Sequence, residues 1–255
     1  MKNDKKIEKK RYDLRAKYLL NNININEISL FGSASVPIQL RTPYIFYEEK
    51  IKKLIQPTHK VLEIGAGTGL HTYSLIKTGA HITATDISKN SLRMLKKNLA
   101  NVKKGGSFTT FVADMENLPF ENGIFDVVAS AGSLSYGNSK MVDSEIRRVI
   151  KPSGIFICID TLNHNPIYKI NRYVHYLKGE RSKMTLINMP TLGRFELLKQ
   201  NFTKIEIKYF GSISYAMPLI SIIIGKLRAK ALSDKIDKLF RIKKSAFKFV
   251  LIANV

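Results

Sequence analysis

Three glycines at alternate positions, Gly65, Gly67 and Gly69, follow the apolar run at residues 61–64, and Glu63 lies inside that run. Two carboxylates, Asp86 and Asp114, close the next two apolar runs. Glycine after a strand lets backbone N–H groups approach a ligand that a side chain would hold off. A carboxylate at the end of the following strand adds two acceptor oxygens to the same place. The group has the chemistry of a cofactor cradle. A dinucleotide fingerprint would set its third glycine at position 70. That position is Leu70, so the spacing is Gly-x-Gly-x-Gly.

The elements that position these residues follow from the hydrophobic pattern. Apolar runs at 60–64, 81–85, 108–113, 125–130 and 155–160 predict five strands. Between them the pattern predicts helices from the glycine loop to 78, from Ser88 as N-cap to 101, and over 138–150, stopped by Pro152 and Gly154. Strands alternating with helices imply a mostly parallel sheet with helices on both faces. After Asp160 the spacing predicts helices at 166–177 and 191–200 and strands at 203–210 and 245–255. One or two basic helices at 217–240 form an insertion between the last two strands. Ahead of the first strand, a basic helix at 2–21, an irregular stretch at 22–43 and a helix at 44–55 are expected. The division is an N-terminal helical cap (1–59), a cofactor-binding core (60–162), and substrate-side helices with final strands completing the same domain (163–255).

The ordered motifs resemble those of the class I S-adenosylmethionine (SAM)-dependent methyltransferases. VLEIGAGTG resembles their first motif, ITATDIS their second, FVADMENLPFENGIFDVVAS the stretch of the third and fourth, and KPSGIFI the turn into the fifth strand. The wording is similar to the type 11 branch, which includes small-molecule and ubiquinone/menaquinone methyltransferases. The resemblance covers residues 55–162. It implies a Rossmann-like fold with a seven-stranded sheet and SAM as cofactor. It also implies roles: Glu63 and the Gly65, Ala66, Gly67 and Gly69 backbone at the amino-acid part of SAM, and Asp86 on the ribose hydroxyls. Ile87 would lie on the adenine face, Asp114 would accept the adenine amino group with Met115 beside it, and Ser130 would lie near the methionine moiety.

Such chemistry takes the methyl from a cofactor that is already activated. The protein aligns the acceptor and, for a hydroxyl, removes its proton. His164, just past the fifth strand, is the candidate base, with Asp160 and Tyr136 behind it. His71 is expected at a partly buried helix position, with a place bordering the cofactor as the alternative. His59, His81 and His175 lack metal-ligand spacing, and with one cysteine no metal site is expected. Cys158, in the run 155–159, reads as a buried structural thiol. Tyr44, Tyr47, Tyr168, Tyr173 and Tyr176 are candidates to line an acceptor pocket. An Asn/Asp-Pro-Pro-aromatic motif is absent after the fourth strand, which speaks against a base or glutamine acceptor.

The net charge is +22, and residues 163–255 hold 18 Lys and Arg against 5 Asp and Glu. That excess suits an anionic partner. The first expectation is a small-molecule or glycan-precursor acceptor, methylated at a hydroxyl oxygen. The segment SVPIQLRTPYIFYEEKI resembles methyltransferases of bacterial surface-polysaccharide biosynthesis. A nucleotide-sugar or lipid-pyrophosphate carrier would fit the charge. The alternatives are an isoprenoid quinone or lipid acceptor at the membrane, and a nucleic-acid-binding module on the same fold. Nucleic acid is disfavoured because the basic residues are scattered and tryptophan is absent. The charged start without a following apolar region, and the lone cysteine, lead to the expectation of a cytoplasmic protein, peripheral to the inner face of the membrane where the 226–244 segment meets acidic lipid.

Overall fold

The computed structural model describes residues 2–22, 31–100, 105–240 and 242–255. Seven strands form one sheet: β1 (Lys60–Ile64), β2 (His81–Asp86), β3 (Ser107–Val112), β4 (Phe125–Ala131), β5 (Ile150–Thr161), β6 (Lys204–Phe210) and β7 (Lys248–Asn254). Their order is β3-β2-β1-β4-β5-β7-β6. The first five are parallel, and β7 runs antiparallel to both β5 and β6. This is the expected α/β, Rossmann-like, mostly parallel sheet.

Side chains alternate across the sheet with period 2. Val61, Ile82, Ala84, Val127, Ala129 and Ile157 enter the core on one face. Leu62, Ile64, Val128, Phe156, Cys158 and Leu251 enter it on the other. Both faces are therefore apolar, which is why the strands read as continuous hydrophobic runs. The first face is covered by α2 (Thr42–Leu54), α3 (Thr72–Ile76) and α4 (Lys89–Leu99). The second is covered by α5 (Ser139–Val149) and α8 (Leu192–Leu198), the latter following α6 (Pro166–Leu177) and α7 (Lys183–Ile187). Helix α4 shows how locally this is encoded. Ser88 caps it by accepting the Ser91 N–H at 3.0 Å, and Leu92, Leu95 and Leu99 line its buried side.

The helical insertion lies between β6 and β7, as expected, and is split at Gly225 into α9 (Met217–Ile224) and α10 (Lys226–Phe240). Strand β5 begins five residues before the expected start at 155, with its register shifted beside Phe125 and Val127. The Pro152–Gly154 turn is absorbed as an irregularity in the strand because β4 pairs with Ile150 ahead of it. Helix α7 was not expected; its Ser182 N-cap lies in a stretch too short to show periodicity. Of the other expectations, the end of the 88–101 helix and part of the 22–43 stretch lie outside the described residues.

Helix α1 (Lys2–Asn22) packs against α4 across the carboxyl ends of the strands. Ser88 donates to Asp13 Oδ1 at 2.6 Å, so the capping residue of α4 also anchors α1. The strand order reverses between β1 and β4, and the crevice of an open α/β sheet opens at such a point.

Candidate active site

A cavity of about 490 Å³ occupies that crevice, within the range of small-molecule sites. Gly65, Ala66, Gly67, Asp86, Ile87, Asp114 and Met115 all line it. Seven of the ten expected cofactor residues, drawn from three strand ends, therefore meet in one place.

The loop after β1 is shaped by its glycines. Gly65 has φ +66°, and a Cβ there would lie 2.3 Å from Ser133 Cβ, so any side chain would collide with the loop after β4. Gly67 has φ +56°, but a Cβ there would meet nothing within 4 Å. The open space over Gly67 is part of the cavity, and a ligand can come down onto backbone. Asp86 Oδ2 accepts the Gly67 N–H at 2.9 Å, and Oδ1 accepts the Ser88 N–H at 2.8 Å. These bonds fix the carboxylate while leaving lone pairs on each oxygen toward the cavity. Burial raises the Asp86 pKa, and the two N–H donors oppose the rise.

Asp114 Oδ1 accepts the Glu116 N–H at 3.0 Å, and its Oδ2 is paired at 2.6 Å with Lys5 of α1. Lys5 also reaches Glu116 at 2.5 Å. His71 borders the cavity, stacked on Tyr44 with ring centroids 5.3 Å apart. Burial lowers its pKa to about 4, so the ring is neutral at pH 7, and its buried Nδ1 has no partner among the described residues. An open glycine cradle, a fixed carboxylate and an unpartnered ring nitrogen fit a polar ligand such as SAM.

Four of the expected site residues do not line this cavity. Glu63 does not line the cavity; it is buried under the loop and accepts the Thr72 hydroxyl at 2.6 Å. Burial raises its pKa to about 7, which the Thr72 hydroxyl bond opposes. Its part is to hold α3 beneath the glycine turn. Gly69 packs on Leu95, where a Cβ would approach to 2.9 Å, and serves helix contact. Ser130 points into the sheet interior, its Oγ 2.7 Å from Ser133 Oγ. The wall after β4 is instead made by Ala131, Gly132 and Ser133. His164 lines neither this cavity nor the next, and its Nε2 accepts the Leu192 N–H at 2.9 Å. The Asn163–Asn165 turn faces the start of α8, so the imidazole acts as a helix-end acceptor.

A second cavity of about 520 Å³ adjoins the first. Tyr12, Arg15, Gly132 and Tyr136 line both. The Tyr12 and Tyr136 hydroxyls meet at 2.5 Å on this shared wall. Asp160, at the end of β5, faces the second cavity. Its Oδ2 accepts the Leu134 N–H at 2.9 Å and its Oδ1 the Thr161 N–H at 2.6 Å. Burial raises the Asp160 pKa, and Lys248 is the largest influence against the rise. Among the candidate tyrosines, Tyr44 lines the first cavity and Tyr168 the second. Tyr47 is core, Tyr173 is exposed and Tyr176 lines neither cavity. Sequence reasoning missed Lys5, Tyr12 and Arg15, because α1 carries no motif and only the fold brings it to the crevice.

Residues 62–158 match a family model described as a methyltransferase domain. A demethylmenaquinone methyltransferase of Clavibacter sepedonicus is 30% identical over 150 residues, covering 56% of this chain and 57% of that protein. A sterol 4-C-methyltransferase of Caenorhabditis elegans is 34% identical over 116 residues, covering 45% and 34%. The chain thus spans between about a third and three fifths of the length of these curated relatives. Among solved structures, a phosphoethanolamine N-methyltransferase of Haemonchus contortus in complex with SAM superposes with TM-score 0.60. It is 16% identical, with 94% of this chain and 59% of that chain covered. A geranyl diphosphate C-methyltransferase of Streptomyces coelicolor A3(2) gives 0.57 at 15% identity, with 95% and 97% covered. These structural likenesses speak for the fold. Residues 62–158 are thus similar to a methyltransferase domain, and the seven-stranded sheet has the Rossmann-like fold of these methyltransferases.

Proposed function

We propose that the protein transfers a methyl group from SAM to a hydroxyl oxygen of a small-molecule or glycan-precursor acceptor. The observation that carries this reading is the shared wall: Tyr12, Arg15, Gly132 and Tyr136 line both the crevice and a second chamber of similar size. When bound, SAM supplies a methyl carbon activated on a sulfonium sulfur. The chain's own residues do the rest. Asp86 and the Gly65–Gly67 backbone hold the cofactor, and α1 closes both cavities from outside. Asp160 replaces His164 as the base. It faces the chamber, and its raised pKa makes it a better proton acceptor than an exposed carboxylate. With SAM bound, Asp160 would take the proton of an acceptor hydroxyl as that oxygen received the methyl group.

The test is incubation with methyl-labelled SAM and a small-molecule extract. We expect label in an O-methyl group and a kcat about 100-fold lower for Asp160→Asn, the usual scale for a lost general base. Label on carbon or nitrogen, or an unchanged Asp160→Asn rate, would reject the hydroxyl assignment.

A second reading, a lipid or quinone acceptor at the membrane surface, is favoured by one observation. Leu219, Ile222 and Ile223 of α9 and Leu227 of α10 are all more than two-thirds exposed, beside Lys226, Arg228 and Lys230. Apolar side chains flanked by cations suit an acidic bilayer surface. Among the described residues no helix is long and apolar enough to cross a membrane. Flotation with acidic vesicles is expected to carry the protein upward. The pair Ile222→Asp and Ile223→Asp should cut the bound fraction by about tenfold or more, since each buried isoleucine is worth about 1.5–3 kcal/mol. Equal flotation of wild type and variant would remove this reading.

A further inference from the structure

The second chamber has an unusual charge. Arg11, Arg15, Arg172 and Arg181 line it, against Asp160 and Glu180. Arg11 is already engaged, paired with Glu8 at 2.7 Å and donating to the Glu180 carbonyl. The other three are not neutralised. Arg172 is only 6% exposed, yet no carboxylate of the described residues pairs with it within 4 Å. Its Nη1 donates to Asn163 Oδ1 at 2.9 Å, and Nη1 and Nη2 reach the Leu162 carbonyl at 3.4 and 3.3 Å. These neutral acceptors hold the guanidinium still without cancelling its charge. Its Nε–H and one Nη2 hydrogen have no partner among the described residues. Burial, and the like charge of Arg181 after it, lower the Arg172 pKa to about 10, against the smaller opposing influence of Asp160 and Tyr168. Arg15 and Arg181 form no ion pair among the described residues.

A buried, immobilised guanidinium with two further cations around one chamber is costly unless an anion completes it. We infer that this chamber binds a phosphate- or diphosphate-bearing acceptor, with Arg172 as its fixed donor and Arg15 and Arg181 as the cations that close on it. The planar fork of arginine matches phosphate oxygens two at a time. Arg15 also borders the cofactor crevice, so the anionic end would be tied close to the shared wall. The word acceptor rests on the methyl-transfer reading; the anion site rests on the chamber alone.

The test is calorimetry on the full chain with inorganic pyrophosphate, with S-adenosylhomocysteine titrated separately. Wild type should bind pyrophosphate more tightly than malonate. Arg172→Met and Arg181→Gln should each weaken pyrophosphate by about tenfold or more, as loss of a charged hydrogen bond does. Both should keep their S-adenosylhomocysteine affinity, because neither residue lines the crevice. Arg181 is half-buried and its side chain makes no hydrogen bond among the described residues, so its variant keeps the test valid if Arg172→Met fails to fold. Uridine diphosphate and a short-chain prenyl diphosphate form the last two arms; the tighter one identifies a nucleotide or a lipid source. Absence of pyrophosphate binding in protein that binds S-adenosylhomocysteine overturns the inference, as does malonate binding equally well or no weakening in Arg181→Gln. Failure to bind S-adenosylhomocysteine would instead overturn the methyl-transfer reading and leave the anion site to its own result.

Discussion

Replacing Asp86 with alanine should weaken SAM and S-adenosylhomocysteine binding by about 100-fold. A hydrogen bond to a charged group contributes about 1.5–3 kcal/mol, and a ribose offers two hydroxyls to this carboxylate. Losing both removes about 3 kcal/mol, which is two factors of ten. The truncation also strips the acceptor from the Gly67 and Ser88 N–H groups, so the cradle itself loosens. Asp86→Asn separates the two effects. Its single amide oxygen keeps one of these roles at a time, so its loss should be intermediate. Calorimetry on the three proteins decides the matter, and equal affinities would show that the ribose lies elsewhere.

The second large effect concerns stability. Arg194 of α8 and Asp143 of α5 form a buried pair: Nε to Oδ2 at 3.1 Å and Nη2 to Oδ1 at 2.5 Å. Both residues are less than a tenth exposed. Arg194 Nη1 also reaches the Leu134 carbonyl, while the Leu134 N–H goes to Asp160. Arg194→Leu leaves the Asp143 carboxylate buried without its cation, which costs about 3–5 kcal/mol. At about 2–4 °C per kcal/mol for a chain near this size, the midpoint of thermal unfolding should fall by about 10 °C. Asp143→Leu combined with Arg194→Leu should recover most of that loss, because no charge is then stranded. A double variant as unstable as the single one would mean that packing, not the unpaired charge, sets the cost. The same network steadies the 132–136 wall of both cavities, so the single variant should also lose affinity for ligands in either.

Much of this site was legible in the sequence because its determinants are local. A glycine turn after an apolar run, and an acid at the end of the next, are set by neighbouring residues and survive in any protein of this pattern. Gly65, Gly67, Asp86, Ile87, Asp114 and Met115 therefore line one cavity. The expected residues that lie off the cavity are those whose side chains depend on which way a strand end turns. Ser130 lies one pleat position away from the crevice, and Ser133 takes the wall. Glu63 sits in the same strand as its glycines but faces the interior. His164 was chosen for its chemistry, and only the packing of α8 shows that its lone pair is already used. The acceptor chamber was illegible for another reason. Its arginines come from α1, α6 and the turn before α7, segments far apart in the chain and bound by no spacing rule. What the sequence carried was their sum, an excess of positive charge in the last third.

Helix α1 touches every part of this arrangement. Lys5 occupies Asp114, Asp13 holds the cap of α4, Tyr12 meets Tyr136, and Arg15 stands in both cavities. An adenine amino group seeking Asp114 must share that carboxylate with Lys5. Whatever the first ligand does to the position of this helix is then felt by the second, and by linkage the second returns the same factor to the first. Both proposed ligand sites thus lie against one twenty-one-residue helix.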